Sequence, residues 1–183
     1  RTPVTPNQIS LLSVVFAAAG GAAILAGPGA PTWFWAAAAM IQLRLLCNLL
    51  DGMVAVEGGR ASPVGGLYNE APDRLADALL IVPLGYAVGI GWLGWAGALA
   101  AVAAAYVRAL GGALGQPQDF RGPMAKQHRM ATLTLACLAA APERWAFGTD
   151  WALRAAGFVI LAGALLTCAR RLAAVADGLR RDA

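Results

Sequence analysis

Long apolar runs constrain this chain more than any other feature. Several of them are long enough to cross the hydrocarbon core of a bilayer, which takes about 20 residues of helix. The runs are rich in Ala, Leu and Gly, and they lack the strict alternation of apolar and polar residues found in membrane barrel strands. Only 13% of the 183 residues are charged, whereas soluble domains carry about 25%. The sequence therefore predicts an all-α integral membrane protein.

Turn-forming segments divide the chain into six predicted transmembrane helices. The separators include "GPGAPT", "EGGRASPVGG" and "GGALGQPQDFRGP", which are rich in Gly and Pro. The predicted helices cover 9–26, 33–56, 67–88, 92–110, 125–140 and 151–173. We expect a single transmembrane domain over 1–183, with 1–8 and 174–183 as its two cytoplasmic ends.

Basic residues predict the orientation of these helices. Six spans place both termini on one side, and most Lys and Arg residues fall on that side, whereas the other side carries only Arg144 and Arg154. The positive-inside rule then puts both termini in the cytoplasm, and we expect a bacterial inner membrane. Tryptophans near the opposite helix ends are typical of an interfacial belt: Trp33, Trp35, Trp92, Trp95, Trp145 and Trp151.

Oxygen-bearing side chains concentrate at the cytoplasmic ends of the second and third helices. Their spacing of three or four residues places them on one face of each helix. Asn48 and Asp51 share a face of the second helix with Ala55, and Asn69, Asp73 and Asp77 share a face of the third. Carboxylate and amide oxygens suit a hard cation such as Mg²⁺ or Mn²⁺. Ionisable groups at membrane depth are costly and mark functional sites. We therefore predict a divalent metal site between the two faces.

A structural alternative exists for the same residues. Arg44, Arg60 and Arg74 can pair with the carboxylates at a polar helix end and neutralise them. Gly52 leaves bare backbone beside the predicted metal face, where a ligand can approach, but small residues also serve close helix packing in membranes. The set of oxygen donors on two matched faces favours the metal site over simple pairing.

A basic cluster precedes the fifth helix. Lys126 and Arg129 are three residues apart, so both can point at one anion, and Arg121 lies just before them. They either hold a substrate phosphate or anchor the chain to anionic lipid heads. Arg44 lies one turn before Asn48 and has the same two interpretations, as a carboxylate partner or as a phosphate ligand. The net charge of +4 is small, and we expect no nucleic-acid partner.

The acidic segment resembles the signature of the CDP-alcohol phosphotransferases, D-x2-D-G-x2-A-R-x8-G-x3-D-x3-D. This chain has Asn48-x2-Asp51-Gly52-x2-Ala55-Val56-x8-Gly65-x3-Asn69-x3-Asp73. The spacing matches throughout, and three positions depart from the signature, at Asn48, Val56 and Asn69. The pattern is similar to a divergent branch of the family with Asn at the first and third Asp positions.

This resemblance implies a membrane enzyme of phospholipid synthesis. Such an enzyme uses one or two Mg²⁺ or Mn²⁺ ions to hold the pyrophosphate of a CDP-linked alcohol, often CDP-diacylglycerol. An acceptor hydroxyl attacks the β-phosphorus, and CMP leaves. Asp73 matches the family's proposed base, and Asp77 is its rival here. The implied metal ligands are Asn48, Asp51, Asn69, Asp73 and Asp77. The implied substrate-binding residues are Gly52, Ala55, Gly65, Arg44, Arg121, Lys126 and Arg129.

Two other functions compete with this one. A catalytically weakened relative that binds CDP-lipid without turnover is consistent with Asn48, Val56 and Asn69. An ion-coupled transporter also needs intramembrane charges, but transporters place them near the bilayer midplane rather than at helix ends. The segment "AAAGGAA" permits a homodimer through small-residue packing.

Overall fold

Every regular element that the structure describes is an α-helix. The computed structural model describes residues 5–56 and 64–182. The helices are α1 (Pro6–Ala26), α2 (Thr32–Val56), α3 (Gly65–Ala87), α4 (Gly91–Ala113), α5 (Lys126–Phe147) and α6 (Trp151–Asp182). Of these, α1, α2, α4 and α6 are long and apolar enough to cross a membrane. The all-α prediction is confirmed for these residues. Arg60, predicted as a possible carboxylate partner, and most of the separator "EGGRASPVGG" lie outside them.

The helices form one bundle through three sets of contacts. α1 packs against α2 and α3, α4 packs against α3 and α6, and α5 packs against α2 and α6. Phe34, Ile41, Leu80 and Leu133 are fully buried in the shared core. Many large apolar side chains stay exposed on the outside of the bundle, as expected of helices that face lipid. The connections α1–α2, α3–α4 and α5–α6 are short, so these neighbours run antiparallel.

The predicted first helix begins too late in the chain. It was expected from residue 9, but α1 begins at Pro6 because Thr5 caps it. The Thr5 hydroxyl accepts from the Gln8 backbone N at 3.3 Å, and the Gln8 side chain accepts from the Thr5 N at 2.9 Å. This reciprocal capping box satisfies two backbone donors, and proline suits the first helical position.

The fifth helix continues past its predicted end at residue 140. Pro142 has no backbone N–H, so it leaves the Leu138 carbonyl without its usual helical donor. The Trp35 indole N donates to that carbonyl at 3.3 Å, which satisfies it from α2. The helix then runs on to Phe147 and ends where Gly148 adopts a left-handed conformation with φ 68°.

The predicted end of the sixth helix at residue 173 is too early, because α6 continues to Asp182. Arg180 and Arg181 lie in the last turn, where cations complement the negative end of the helix dipole. The fourth helix likewise continues beyond residue 110, to Ala113.

The six tryptophans lie at the end of the bundle away from Asp51, Asp73 and Asp77. They occupy the first turns of α2, α4 and α6 and the last turn of α5. Each is between 45% and 68% exposed. Trp35 and Trp145 meet edge to face with their ring centroids 5.0 Å apart. Exposed indoles grouped at one end are the arrangement expected of an interfacial belt.

Gly21 allows α1 to lie against the backbone of α3. A Cβ at this position would stand 2.1 Å from the Leu79 carbonyl oxygen, the carbonyl whose helical donor is lost at Pro83. The small residues of "AAAGGAA" therefore pack inside the chain, with Ala17, Gly20 and Gly21 buried. The homodimer stays a prediction, and these buried residues are not its support.

Gly21→Ala is expected to destabilise the protein by about 1–3 kcal/mol, because the helices must separate to admit the methyl group. Gly66→Ala is the matched control, since a Cβ there meets no atom within 4 Å. Thermal unfolding of both variants in the same detergent checks the difference. Equal midpoints for the two variants would show that the α1–α3 contact is not tight.

Candidate active site at the acidic end of α2 and α3

Asp77 is the most enclosed carboxylate of the site. It is 1% exposed, and each of its oxygens is bound by a different guanidinium. Arg44 NH2 on α2 donates to Asp77 Oδ1 at 3.1 Å, and Arg129 NH2 on α5 donates to Oδ2 at 2.6 Å. Arg129 also donates from NH1 to the Met124 carbonyl at 2.7 Å. Asp77 therefore ties α2, α3 and α5 together.

Asp73 lies one turn before Asp77 and receives a different set of donors. Lys126 Nζ donates to Oδ2 at 2.5 Å, and Asn48 Nδ2 donates to Oδ1 at 3.3 Å. Arg44 NH2 is 3.4 Å from Oδ1. Asp73 lines a cavity, unlike Asp77. The contact between Asn48 and Asp73 brings the two predicted faces together.

Asp51 has a separate environment. It is buried, and the Ser10 hydroxyl of α1 donates to its Oδ2 at 2.5 Å. Ser10 was missed by sequence reasoning, because nothing in its local pattern shows which helix α1 packs against. Within residues 5–56 and 64–182, no three Asp, Glu, His or Cys side chains converge as a metal-binding group.

The segment before α5 is attached to α6, and this attachment positions Lys126 and Arg129. The Met124 backbone N donates to Thr167 Oγ1 at 3.0 Å. Arg171 Nε donates to the Arg121 carbonyl, and its NH1 donates to the Ala104 carbonyl, each at 2.9 Å. Gly122 has φ 135°, a conformation open to glycine, and a Cβ there would strike Thr167.

A cavity of about 410 Å³ opens beside Asp73. Its charged lining is strongly basic, with five cations against two carboxylates. The cations are Arg74, Arg108, Lys126, Arg129 and Arg171, and the carboxylates are Glu70 and Asp73. Glu70 pairs with Arg108 and with Arg74. An enclosure of this charge can hold a multiply charged anion such as a phosphate ester.

Arg108 and Arg171 were not among the predicted site residues. The sequence does carry a signal for Arg108, because it is the one charged residue of an otherwise apolar helix. Such residues turn toward the bundle interior rather than toward lipid. Its position inside the cavity wall follows that rule. Arg171 lies beside Arg170 in a helix with several other charges, and no local signal distinguishes it.

Arg121 lies apart from this cavity. Its side chain is 82% exposed, and it pairs with Asp119 at 3.0 Å along a second groove. Hydrogen bonds from this guanidinium lower the pKa of the Asp119 carboxyl from its ordinary value. The backbone carbonyl of Arg121, rather than its side chain, contributes to the site by accepting from Arg171.

The remaining predicted residues take varied positions. Asn69 lines the cavity next to Asp73, and Gly65 begins α3. Ala55 is partly buried near the end of α2. A Cβ at Gly52 would meet no atom within 4 Å, so close packing among the described residues does not explain this glycine. Arg44 has no exposed surface and does not line the cavity.

The side chains of the site offer oxygen ligands that suit a hard divalent ion, but two of its carboxylates already pair with cations. The acidic and amide side chains offer only oxygen as ligands, which Mg²⁺ and Mn²⁺ prefer. Asp73 and Asp77 pair with three close cations, Arg44, Lys126 and Arg129, whereas Asp51 accepts from the neutral Ser10 hydroxyl. Of these cations, Lys126 is the accessible one, with 22% of its side chain exposed, and it can leave Asp73 to an incoming ion.

The fold and the site define a helical membrane protein with a buried acid–base cluster beside a cationic cavity. The family model for CDP-alcohol phosphatidyltransferase matches residues 3–169, and the chain belongs to that family. The family predicted from the sequence is thereby confirmed, as is its placement among enzymes of phospholipid synthesis. The branch with Asn at two signature positions stays a prediction.

Two curated relatives cover most of this chain. The bifunctional IPC transferase and DIPP synthase of Rubrobacter xylanophilus is 37% identical over 147 residues, which are 77% of this chain. The chain spans only 33% of that longer protein. The archaetidylinositol phosphate synthase of Aeropyrum pernix is 32% identical over 186 residues, covering 99% of this chain and 88% of that protein.

Solved structures of phosphatidylinositol phosphate synthase from Mycobacterium tuberculosis share the fold. The form in complex with manganese and citrate has a TM-score of 0.77 at 20% identity, covering 94% of this chain and 82% of that chain. The form with CDP-DAG bound has a TM-score of 0.75 at 21% identity, covering 94% and 87%.

Proposed function

We propose that this protein transfers a substituted phosphate from a CDP-alcohol, CDP-diacylglycerol, to the hydroxyl of an acceptor that itself carries a phosphate. The observation that supports this most is the cavity in which Asp73 and Asn69 face five cations. A carboxylate at the wall of an anion-binding cavity combines a proton acceptor with phosphate ligands. Both are needed to join an alcohol to a phosphorus centre.

Asp73 is proposed as the base, because its carboxylate lines the cavity and Asp77 does not. The acceptor oxygen forms a bond to the β-phosphorus while its proton passes to Asp73. The bond from that phosphorus to the bridging oxygen breaks, and CMP carries away the released negative charge. Asp77 then serves the site by holding Arg44 and Arg129 in place.

Asp51, Asp73, Asn48 and Asn69 are the residues proposed to hold a divalent ion. When bound, Mg²⁺ or Mn²⁺ would neutralise charge on the pyrophosphate and favour departure of CMP. The manganese in the mycobacterial structure supports a divalent ion in this fold. Lys126 exchanges its contact with Asp73 for a contact with substrate phosphate.

The acceptor is proposed to be an inositol phosphate. Arg108, Lys126 and Arg171 enclose more positive charge than a neutral alcohol requires. The Aeropyrum relative is named for an inositol phosphate product, and the mycobacterial structures are named likewise. The CDP-DAG bound in one of those structures supports the donor.

All six helices are proposed to cross the membrane as one domain, with both termini and the cavity in the cytoplasm. α3 and α5 contain 23 and 22 residues, enough to cross about 30 Å at 1.5 Å per residue. The charged residues of α5 lie near its two ends, and those of α3 lie between Glu70 and Asp77. The basic ends of the helices and the opposite tryptophans support this orientation and an inner-membrane location.

CMP release from CDP-diacylglycerol by the purified protein, with Mn²⁺ and a panel of acceptors, tests this function. Inositol phosphate should react at least about 10-fold faster than inositol, because each charge-assisted hydrogen bond contributes about 1.5–3 kcal/mol. Lys126→Gln should raise the KM for inositol phosphate and leave that for inositol unchanged. Equal rates for the two acceptors would contradict the phosphate requirement. No CMP with any acceptor would favour a binding protein without turnover.

A further inference from the structure

Arg44 is the largest fully buried side chain of the described residues, and it points at two carboxylates. Its NH2 group is 3.1 Å from Asp77 Oδ1 and 3.4 Å from Asp73 Oδ1. The same nitrogen is 3.5 Å from the Asp73 backbone carbonyl. Its Nε and NH1 atoms are buried without a hydrogen-bond partner in the part of the chain described. One nitrogen thus serves both carboxylates.

Such an arrangement is costly unless the charge itself is required. Burying a guanidinium carries a penalty of several kcal/mol that only well-placed opposite charges offset, and unpaired buried N–H groups add to it. Arg44 has no exposed surface and does not line the cavity, so it does not contact a substrate there. It acts on the carboxylates.

Arg44 lies next to a position that departs from the signature. Asn48, one turn later on α2, replaces the first Asp of the signature and donates to the same Asp73 oxygen at 3.3 Å. Asn69 replaces another carboxylate at the cavity wall. The site therefore has two fewer carboxylates than the signature implies, and Val56 replaces the arginine of the signature. Arg44, which lies outside the signature, places a fixed positive charge against Asp73 and Asp77. A second divalent ion would meet repulsion from Arg44 and fewer charged ligands.

We propose that the Arg44 guanidinium takes the electrostatic place of one divalent ion, so that each chain binds a single Mn²⁺ or Mg²⁺. The inference rests on the metal site of the proposed function. Asp51, whose partner among the described residues is the neutral Ser10 hydroxyl, is the carboxylate left for that ion. The signature has a carboxylate at position 48. Because Arg44 takes the place of one ion, the site does not need that carboxylate as a ligand, and Asn48 is sufficient.

Mn²⁺ stoichiometry of the purified full chain in detergent, measured by electron paramagnetic resonance, tests the proposal. Wild-type protein should bind one Mn²⁺ per chain, and Asn48→Asp alone should still bind one, because Arg44 remains. The double variant Arg44→Gln with Asn48→Asp should bind two. Thermal unfolding establishes that each variant is folded before titration.

The outcomes separate this inference from the proposed function. Two Mn²⁺ per wild-type chain, or none, would overturn the inference whether or not CMP is released. A folded double variant that still binds one Mn²⁺ would also overturn it. One Mn²⁺ bound by a protein that releases no CMP would retain the inference and reject the proposed function. The wild-type measurement needs no variant, so a double variant that does not fold leaves a decisive test.

Discussion

Asp73→Asn is expected to lower the rate of CMP release by about 10²–10⁴-fold, the usual contribution of a positioned base. Asn keeps the size of the side chain and one oxygen, but it cannot take the acceptor proton. It also loses the ion pair with Lys126, which is 2.5 Å from the carboxylate. The kcat at saturating donor, acceptor and Mn²⁺ measures the effect.

Glu70→Gln is the matched control for this variant. Glu70 lines the same cavity, and its partners are Arg108 and Arg74. Its side chain is 52% exposed, so its pairs are screened by water. A change of only a few fold is expected. If Asp73→Asn kept a kcat close to that of Glu70→Gln, Asp73 would not be the base.

Asp77→Ala is expected to reduce the free energy of unfolding by about 3–5 kcal/mol, the effect of leaving a buried charge without its partner. Arg44 and Arg129 are 0% and 3% exposed, and each loses its contact with an Asp77 oxygen. The change falls on helix association, because these contacts join α2 and α5 to α3. Chemical or thermal unfolding in detergent measures it.

Asp177→Ala removes an exposed ion pair instead of a buried one and serves as the control. Its pair with Arg180 lies within α6 at 3.3 Å, with both side chains more than half exposed. Such pairs contribute about 0.3–0.5 kcal/mol. Equal stability of the two variants would contradict the role of Asp77 as an anchor. A folded Asp77→Asn protein that has lost turnover but not stability would make Asp77 the base instead.

The sequence predicted the helices and the segment that forms the site. Helical spacing placed Asn48 and Asp73 on facing sides, and the structure joins them at 3.3 Å. The errors lie at helix ends, where a capping side chain or a hydrogen-bond donor from another helix determines where the helix begins or ends. Thr5 begins α1 early, and the Trp35 contact with the Leu138 carbonyl lets α5 pass Pro142. That second contact spans more than 100 positions, and no local pattern shows it.

The partners of the carboxylates were predictable only in part. The sequence left Arg44 as either a carboxylate partner or a phosphate ligand, and in the structure it binds Asp73 and Asp77. Arg129 approaches Asp77 because Arg171 and Thr167 fix the preceding segment to α6. These contacts depend on how three helices assemble, which the spacing within one helix does not encode. The position of Arg121 could not be predicted from local spacing either. Lys126 and Arg129 line the cavity, whereas the Arg121 side chain pairs with Asp119.

The dependence of CMP release on divalent metal tests the central claim most directly. Purified wild-type protein, CDP-diacylglycerol and inositol phosphate are mixed after chelation, and Mn²⁺ is then added back at increasing concentration. If the acidic end of α2 and α3 is a metal-assisted transfer site, chelation stops CMP release and Mn²⁺ restores it. The Asp51→Asn variant then needs a higher Mn²⁺ concentration than wild type. CMP release that continues undiminished in the presence of chelator would contradict the claim. Recovery of the Asp51→Asn variant at the same Mn²⁺ concentration as wild type would contradict it too.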